Sequence, residues 1–252
     1  FDKGHTLSPP DLAVLAAGGV RKLSVFAPLK VGILSTGDEL INSDEDAQKG
    51  QIYDANRQML LAQLKRAGFQ TIDLGIVKDS PENIRGRLDE AAQNCHALVT
   101  TGGASSGDED HMSALLSSEG ILQIWRIAVK PGRPMAMGLW KGLPIFGLPG
   151  NPVAAFVCAL VFAQPALRVL AGGTWYRPKG YMVPAAFSKS KKPGRHEYLR
   201  ARLTNGKAEV FDSEGSGRTL GLTWARGLVE LQKPEQSIRP GDLVRYIPFS
   251  EF

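Results

Sequence analysis

The segment from Thr100 to Asp110 carries the residue types best suited to chemistry in this chain. It contains a glycine pair, two serines, a third glycine and three carboxylates, and it follows the apolar run from His96 to Val99. A strand that delivers such a loop to a helix start exposes backbone N–H groups, which bind phosphate together with the positive end of the helix dipole. The acidic cluster beyond can hold a divalent cation against that phosphate. Glycine and serine also mark ordinary loops, so the prediction depends on the position between strand and helix.

Two further segments place carboxylates at predicted element ends. Residues 35–40 (STGDEL) follow a short apolar strand, and their two carboxylates suit a metal or a positioned water. An acidic turn that ends a strand explains them equally well. Residues 53–57 (YDANR) precede a helix, where Asp54 or Asn56 as an N-cap is a purely structural explanation.

Two more segments favour anion binding. Residues 130–134 (KPGRP) hold two cations three positions apart on a proline-glycine turn, which suits an oxyanion such as phosphate or molybdate. Residues 146–152 (FGLPGNP) form a glycine-rich elbow before a helix. An exposed basic turn and a tight packing turn are the respective alternatives. Together the five segments predict a site for three species: a ligand that carries a phosphate, a cation, and a second oxyanion. The sequence contains neither GxxxxGK[ST] nor GxGxxG, which disfavours a P-loop or dinucleotide site.

The elements that must position these segments alternate between strand and helix. We predict strands at 29–34, 69–77, 97–101 and 121–129, a hairpin of 134–140 with 143–148, and helices at 8–19, 54–67, 81–94, 108–117 and 151–170. The last helix carries Pro165, where a bend is expected. Such alternation favours a parallel or mixed sheet covered on both faces, with ligands beyond the carboxyl ends of the strands.

The pattern changes at 171–173, after which short alternating segments predict a small all-β domain. We expect strands at 181–184, 197–203, 208–211, 228–231 and 242–247. The predicted units are 1–28, an N-terminal segment, 29–173, an α/β domain, and 174–252, the β domain; the family resemblance named below implies that 1–28 is a hinge with part of an N-terminal domain. The helix near the start is too isolated to be a domain, and the chain begins at Phe1 rather than Met. We therefore expect a larger structure upstream.

Composition limits the classes of ligand that the chain is expected to bind. The chain has 252 residues, 43% apolar and 22% charged, with a net charge of +5. No basic block with interleaved aromatics occurs, so small anions are favoured over nucleic acid. Two cysteines, Cys95 and Cys158, suit a reducing compartment, and the four histidines lack metal-ligand spacing. The longest apolar run, 152–163, is shorter than a membrane span, and a buried core helix is predicted there.

At this point the chain resembles a known family, the MoeA-type molybdopterin molybdotransferases, which include the E domain of gephyrin. The resemblance covers nearly the whole chain in order. It is carried by STGDEL at 35–40, YDAN at 53–56, GGASSGD at 102–108, KPGRP at 130–134 and GLPGNP at 147–152. It implies a fold of α/β class: a three-layer MogA/MoaB-like molybdopterin-binding domain with a mostly parallel sheet, followed by a small all-β barrel domain.

The resemblance also implies a reaction. Adenylylated molybdopterin and molybdate are converted to molybdenum cofactor and AMP with Mg²⁺, in the cytoplasm, by a protein that is a homodimer at full length. A MogA-type protein is an implied partner, and neither nucleic acid nor a membrane is expected. Family members carry two further N-terminal regions that complete the site across the dimer and have no counterpart here, so efficient turnover by this chain alone is in doubt.

Site residues follow from the same resemblance. The implied catalytic residues are Glu39, Asp79, Asp110, Lys130 and Arg133, with Glu39 and Asp110 as metal ligands. The implied ligand-binding residues are Thr36, Gly37, Gly102, Gly103, Ser105, Gly107, Pro134, Pro149, Gly150 and Asn151. The family commonly has lysine at the position of Arg133, which keeps the charge and changes the geometry.

Two alternatives remain. A non-catalytic molybdopterin-binding or scaffold protein would keep the ligand site without turnover. A MogA-type molybdopterin adenylyltransferase would share the glycine-rich loop, but it should end after the α/β domain, and the appended β domain argues against it.

Overall fold

The α/β part is built on one mixed sheet. The computed structural model describes residues 1–102, 111–125, 128–132, 135–212 and 219–252. The first nine strands described along the chain are β1 (Lys30–Thr36), β2 (Leu40–Ile41), β3 (Ile52–Tyr53), β4 (Gln70–Val77), β5 (Ala97–Thr101), β6 (Ile121–Trp125), β7 (Val129–Lys130), β8 (Met135–Trp140) and β9 (Leu143–Leu148), and six of them form this sheet. The sheet order is β4-β1-β5-β9-β8-β6. Strands β4, β1, β5 and β9 are parallel, whereas β8 runs antiparallel to both of its neighbours.

Helices cover both faces of this sheet. They are α2 (Ala55–Arg66), α5 (Pro152–Cys158) and α6 (Gln164–Leu170) on one face and α3 (Pro81–Asn94) and α4 (His111–Glu119) on the other. Two helices lie apart from this sheet: α1 (Pro9–Ala17), which has no buried residue, and α7 (Leu220–Trp224) of the second domain. Side chains alternate along β1, so Ile33 packs toward α2 and α5 while Leu34 packs toward α3 and α4. The predicted three-layer α/β architecture is confirmed.

Two predicted elements differ from the structure. The strand 121–129 was wrong as one element, because β6 ends at Trp125 and β7 pairs with the second sheet. An apolar run gives no sign that its two ends enter different cores. The helix 151–170 is interrupted earlier than expected, by a π-helical turn at Ala159–Ala163 directly before the proline segment. The helix predicted at 108–117 is described from His111 to Glu119, and 108–110 lie outside the described residues.

The second domain is a small barrel. Its strands are β10 (Tyr181–Pro184), β11 (Lys189–Lys191), β12 (His196–Thr204), β13 (Lys207–Val210), β14 (Gly227–Leu231), β15 (Gln236–Ile238) and β16 (Leu243–Pro248), and a 3₁₀ helix at Phe249–Glu251 follows. The antiparallel order is β10-β16-β14-β12-β13. A bridge between Ala185 and Ala208 joins the two ends of the sheet. Sequence reasoning missed β11 and β15, which are three residues long and have little apolar alternation.

The two domains pack against each other in an apolar interface. Strand β7 pairs in parallel with β12, and the His196 N–H donates to the Ala128 carbonyl at 2.8 Å. Around this ladder Val129, Val157 and Leu160 pack against Leu228 and Ile247 of the barrel. The apolar helical stretch from 152 to 170 is long and apolar enough to cross a membrane, but 61% of its most apolar part is buried inside the protein. This helical stretch is the central helix of the interface between the domains.

Lys191 provides a stability test. Its side chain is fully buried, and its Nζ donates to the carbonyls of Lys192, Lys233 and Pro234 at 3.0, 3.2 and 3.0 Å. Lys191→Met leaves these acceptors unpaired, so we expect the free energy of unfolding in urea to fall by about 2 kcal/mol. The exposed neighbour serves as the control: Lys192→Met should change it by less than about 0.5 kcal/mol. Equal effects of the two substitutions would contradict this role.

Candidate functional site

Four neighbouring strands end at one rim of the first sheet. Because β4, β1, β5 and β9 are parallel and adjacent, the loops that leave their carboxyl ends lie side by side. These loops contain the predicted site residues Asp79, Thr36, Gly37, Glu39, Gly102, Pro149, Gly150 and Asn151. The described part of the predicted site therefore gathers at the edge where open α/β sheets bind ligands.

The side chain of Asn56 connects two of these loops. Its Nδ2 donates to Thr101 Oγ1 at 2.7 Å and to the Gly150 carbonyl at 2.6 Å. Thr101 ends β5, and Gly150 lies in the elbow between β9 and α5. Only the amide nitrogen can donate to the Gly150 carbonyl, which fixes the orientation of the amide group. One side chain from α2 thus sets the spacing of both glycine-containing loops.

Glycine is required where these loops touch. Gly102 has φ +83°, and a Cβ there would lie 2.2 Å from the Thr36 carbonyl oxygen. A Cβ on Gly150 would lie 3.8 Å from the Cα of Gly102. The backbones that leave β1 and β5 are therefore in van der Waals contact, the elbow after β9 lies close beside them with room for one more carbon, and a ligand at this rim would meet main-chain groups.

Buried polar atoms without partners lie at the same rim. In the part of the chain that the structure describes, Ser35 Oγ, Thr36 Oγ1 and Asn56 Oδ1 have no hydrogen-bond partner. All three residues are more than nine-tenths buried. Buried polar groups are normally paired, and a bound ligand or water is the usual partner when protein offers none. These atoms indicate a binding position for a polar ligand or a water molecule at the rim.

The start of α2 is fixed by a charged cluster. Asp54 is the N-cap and accepts from the N–H groups of Asn56 and Arg57, both at 3.1 Å. The Arg57 guanidinium is buried, contacts Asp54 and binds both carboxylate oxygens of Asp73 on β4 at 2.7 and 2.6 Å. The structural explanation of the YDAN segment is therefore correct for Asp54. Asn56 has the additional role described above.

Carboxylates line the β4 and β1 end of the rim. Asp38 Oδ1 accepts from the Asp79 N–H at 3.0 Å, which joins the loops after β1 and β4. Glu39 is exposed, and its carboxylate folds back over Gly37. Within the described ranges, no group of three or more His, Cys, Asp or Glu side chains is arranged to hold a metal ion.

The described part of the basic turn, residues 130–132, reaches the other end of the rim. A Cβ on Gly132 would lie 2.4 Å from Cys158 Sγ and 3.9 Å from the Pro149 side chain, so the turn packs on the elbow and on α5. Lys130 lines a cleft of about 420 Å³ between the domains. Its Nζ lies 3.8 Å from Glu197 Oε2 of the barrel.

Asn151 caps a helix, and six other predicted residues lie outside the described part of the chain. The Asn151 side chain caps α5 by accepting from the N–H groups of Val153 and Ala154 at 3.1 and 3.4 Å, so those donors are already paired. The predicted residues Gly103, Ser105, Gly107, Asp110, Arg133 and Pro134 lie outside the described residues.

Sequence reasoning missed two connections. It named Asn56 only as a possible cap and did not assign Asp38 a specific role, although both join loops at the rim. The YDAN and STGDEL segments contained the signal, but which loops a side chain reaches depends on strand order.

Comparison with known families gives two matches. Residues 32–169 match the model of a probable molybdopterin binding domain. Residues 182–249 match the MoeA C-terminal region, domain IV. The two matches fall on the α/β part and the barrel.

Similar proteins are named for molybdopterin biosynthesis or molybdenum transfer. The chain is 32% identical to the molybdopterin molybdenumtransferase of Haemophilus influenzae over 99% of this chain and 63% of the relative. It is 36% identical to that of Nostoc sp. over 93% of this chain and 56% of the relative. A crystal structure of the molybdopterin biosynthesis MoeA protein of Pyrococcus horikosii superposes with a TM-score of 0.83 at 28% identity, covering 98% of this chain and 61% of that one. The chain thus spans less than two thirds of these relatives.

The contact at Gly102 can be tested by adding one methyl group. Gly102→Ala would place a Cβ against the Thr36 carbonyl in a left-handed backbone conformation, so we expect the free energy of unfolding to fall by roughly 1–3 kcal/mol. Gly86 is an exposed glycine of α3 with open space around it, and Gly86→Ala should raise stability by up to about 1 kcal/mol. Urea unfolding measures both, and a neutral Gly102→Ala would show that the loops are not in contact.

Proposed function

We propose a molybdotransferase function from one premise: the chain belongs to the MoeA-type family of molybdopterin-binding proteins. In the proposed reaction, adenylylated molybdopterin and molybdate give molybdenum cofactor and AMP. The relatives of that name are longer than this chain, so the activity is proposed for the protein to which these two domains belong.

The observation that carries the proposal is that the Asn56 side chain connects two loops at the rim of the first sheet. Its bonds to Thr101 and Gly150 hold two loops against each other, beside buried oxygens of Ser35 and Thr36 that have no partner among the described residues. A preorganised set of main-chain and side-chain groups suits a pterin phosphate, since little ordering remains to be done on binding. In this proposal Gly37, Gly103, Ser105 and Gly107 complete the cradle.

We assign a magnesium ion to the acidic end of the rim. Carboxylate oxygens are the ligands that Mg²⁺ prefers, and Glu39 is exposed with no hydrogen bond or ion pair to its side chain within the described residues. We assign Glu39 and Asp110 as its ligands. The ion, when bound, neutralises charge on the phosphoanhydride. Asp79 shares this end of the rim through the contact of its N–H with Asp38.

The basic turn would serve the second substrate. Lys130, Arg133 and Pro134 are assigned to molybdate and the pterin phosphate, because fixed cations stabilise negative charge that develops on oxygen. Pro149 and Gly150 lie between the turn and the phosphate side of the rim. No covalent protein intermediate is required.

The organisation of the whole protein is also proposed. The domain limits are 1–28, 29–173 and 174–252, the full-length form is a homodimer in the cytoplasm, and a MogA-type protein supplies the adenylylated substrate. A molybdopterin-binding module without turnover is the second candidate.

AMP release separates the two candidates. Purified protein is mixed with adenylylated molybdopterin and Mg²⁺, with and without molybdate. Release of AMP that depends on molybdate supports the transferase. Tight binding of the pterin without AMP release supports the binding module.

Glu39 tests the assigned chemistry. Glu39→Gln removes one charge from the metal ligand set, so we expect AMP release to fall at least about 100-fold, and Asp110→Asn should behave alike. The far-UV spectrum and unfolding midpoint should stay unchanged, because Glu39 is exposed. Glu235→Gln, at an exposed position of the barrel, is the matched control. Wild-type rates in both site variants would remove these residues from the mechanism.

A further inference from the structure

A buried carboxylate at the interface of the two domains contacts two lysine side chains. Glu197 lies on β12 of the barrel and is 7% exposed. Its Oε2 lies 3.4 Å from Lys189 Nζ and 3.8 Å from Lys130 Nζ. Lys130 belongs to the basic turn of the α/β domain, whereas Lys189 belongs to β11 of the barrel. One carboxylate oxygen therefore contacts cations that come from both domains.

Strand pairing fixes the position of this carboxylate relative to both lysines. In the parallel ladder of β7 with β12, Glu197 is the register partner of Lys130. Neighbouring strands of a sheet lie only about 4.8 Å apart, so the side chains of register partners can meet. Lys189 is held by the pairing of β11 with β15, where its partner is Ile238. The three charged groups are therefore brought together by the backbone of two domains.

The charge of Glu197 depends on these lysines for compensation. Its Oε2 is buried and has no hydrogen-bond partner in the part of the chain that the structure describes, so its contacts there are the two ion pairs. Burying a carboxylate is costly unless cations compensate its charge. The carboxylate in turn offsets the repulsion between the two ammonium groups. Without its charge, Lys130 and Lys189 would repel each other and move apart.

The two lysines face the cleft between the domains, and Glu197 lies behind them. Both lysines line this cleft of about 420 Å³, together with the charged residues Arg200 and Asp212. Among the described residues that line it, Glu197 is absent. The side chain of Lys130 is 36% exposed and that of Lys189 is 12% exposed. A ligand in the cleft would therefore meet the lysines, whereas Glu197 would act on it only through them.

We propose that Glu197 is a positioning residue for the oxyanion substrate: it holds Lys130 and Lys189 at the cleft, where both ammonium groups face molybdate. The inference adds a lysine of the barrel to the basic turn. It rests on the proposed function for the identity of the anion, but the placement of the two lysines by Glu197 does not. Glu197 limits the freedom of both side chains before the anion arrives, which lowers the cost of ordering them on binding.

Glu197→Gln tests this role, because positioning and simple charge predict opposite effects. By Coulomb's law alone, removing a negative charge beside an anion site strengthens anion binding. Loss of positioning weakens it, so we expect the KM for molybdate in AMP release to rise about tenfold. Glu235→Gln makes the same change of net charge at an exposed position of the barrel and should leave this KM unchanged. An unchanged or lower KM in Glu197→Gln would overturn the proposal.

Glu197→Asp keeps the charge and withdraws it by one methylene group. The KM for molybdate should then rise about threefold, between the values of the wild-type protein and Glu197→Gln. A carboxylate that only stabilised the domain interface would lower the unfolding midpoint of both variants without this graded change in KM. If Glu197→Gln fails to fold, Glu197→Asp decides alone, and a wild-type KM in that variant would contradict the positioning role.

Acetylation of lysines tests the same contacts without turnover. The rate at each lysine is measured by mass spectrometry in the wild-type protein and in Glu197→Gln. Because an ion pair restricts long side chains to one geometry, its loss should raise the rates at Lys130 and Lys189 at least about twofold. Lys191, which is fully buried on the same strand as Lys189, should stay unreactive if the barrel remains folded.

Unchanged rates at Lys130 and Lys189 would overturn the positioning role, whatever the kinetics show. A wild-type protein that releases no AMP would contradict the proposed function alone, and the labelling would then decide this inference. The two failures are therefore distinguishable.

Discussion

The hydrogen bonds of the Asn56 amide are the constraint on which the rim depends. They join the end of β5 to the elbow before α5, two segments almost fifty residues apart in sequence. Asn56 can reach both because Asp54 caps α2 and Arg57 ties its first turn to Asp73 on β4. The contact of Gly102 with Thr36 and Gly150 follows from the same spacing. Ligand contacts at this edge would therefore be made by groups whose positions are already fixed.

The barrel is part of this arrangement through β7. Two residues of the α/β chain extend the barrel sheet, and Lys130, which follows the buried Val129, reaches the cleft beside Glu197. A basic turn that hung from the first sheet alone would be free to move. Pairing with β12 on one side and packing of Gly132 on Cys158 on the other limit that freedom. The position of the basic turn therefore depends physically on the second domain.

Local patterns allowed much of the fold to be predicted, and the errors have physical causes. The apolar stripe of Leu60 and Leu64 predicted α2, and the N-cap signal at 80–82 (SPE) predicted α3, whose N-cap is Ser80. Strand β7 was missed because apolar residues look alike whichever core they enter. The rim loops were recognised by their glycines and carboxylates. The reach of Asn56 was not, since it depends on strand order and on the placement of a helix far away in sequence.

A crystal structure with bound adenylylated molybdopterin tests the central claim most directly. The account predicts the pterin phosphate against the backbone at Gly102 and Gly150, near Thr36 Oγ1, with the amide of Asn56 still bonded to Thr101 and Gly150. It also predicts Lys130 on the side of the ligand that faces molybdate. A ligand bound away from the carboxyl ends of β1, β5 and β9, or an Asn56 side chain that releases both loops on binding, would contradict it.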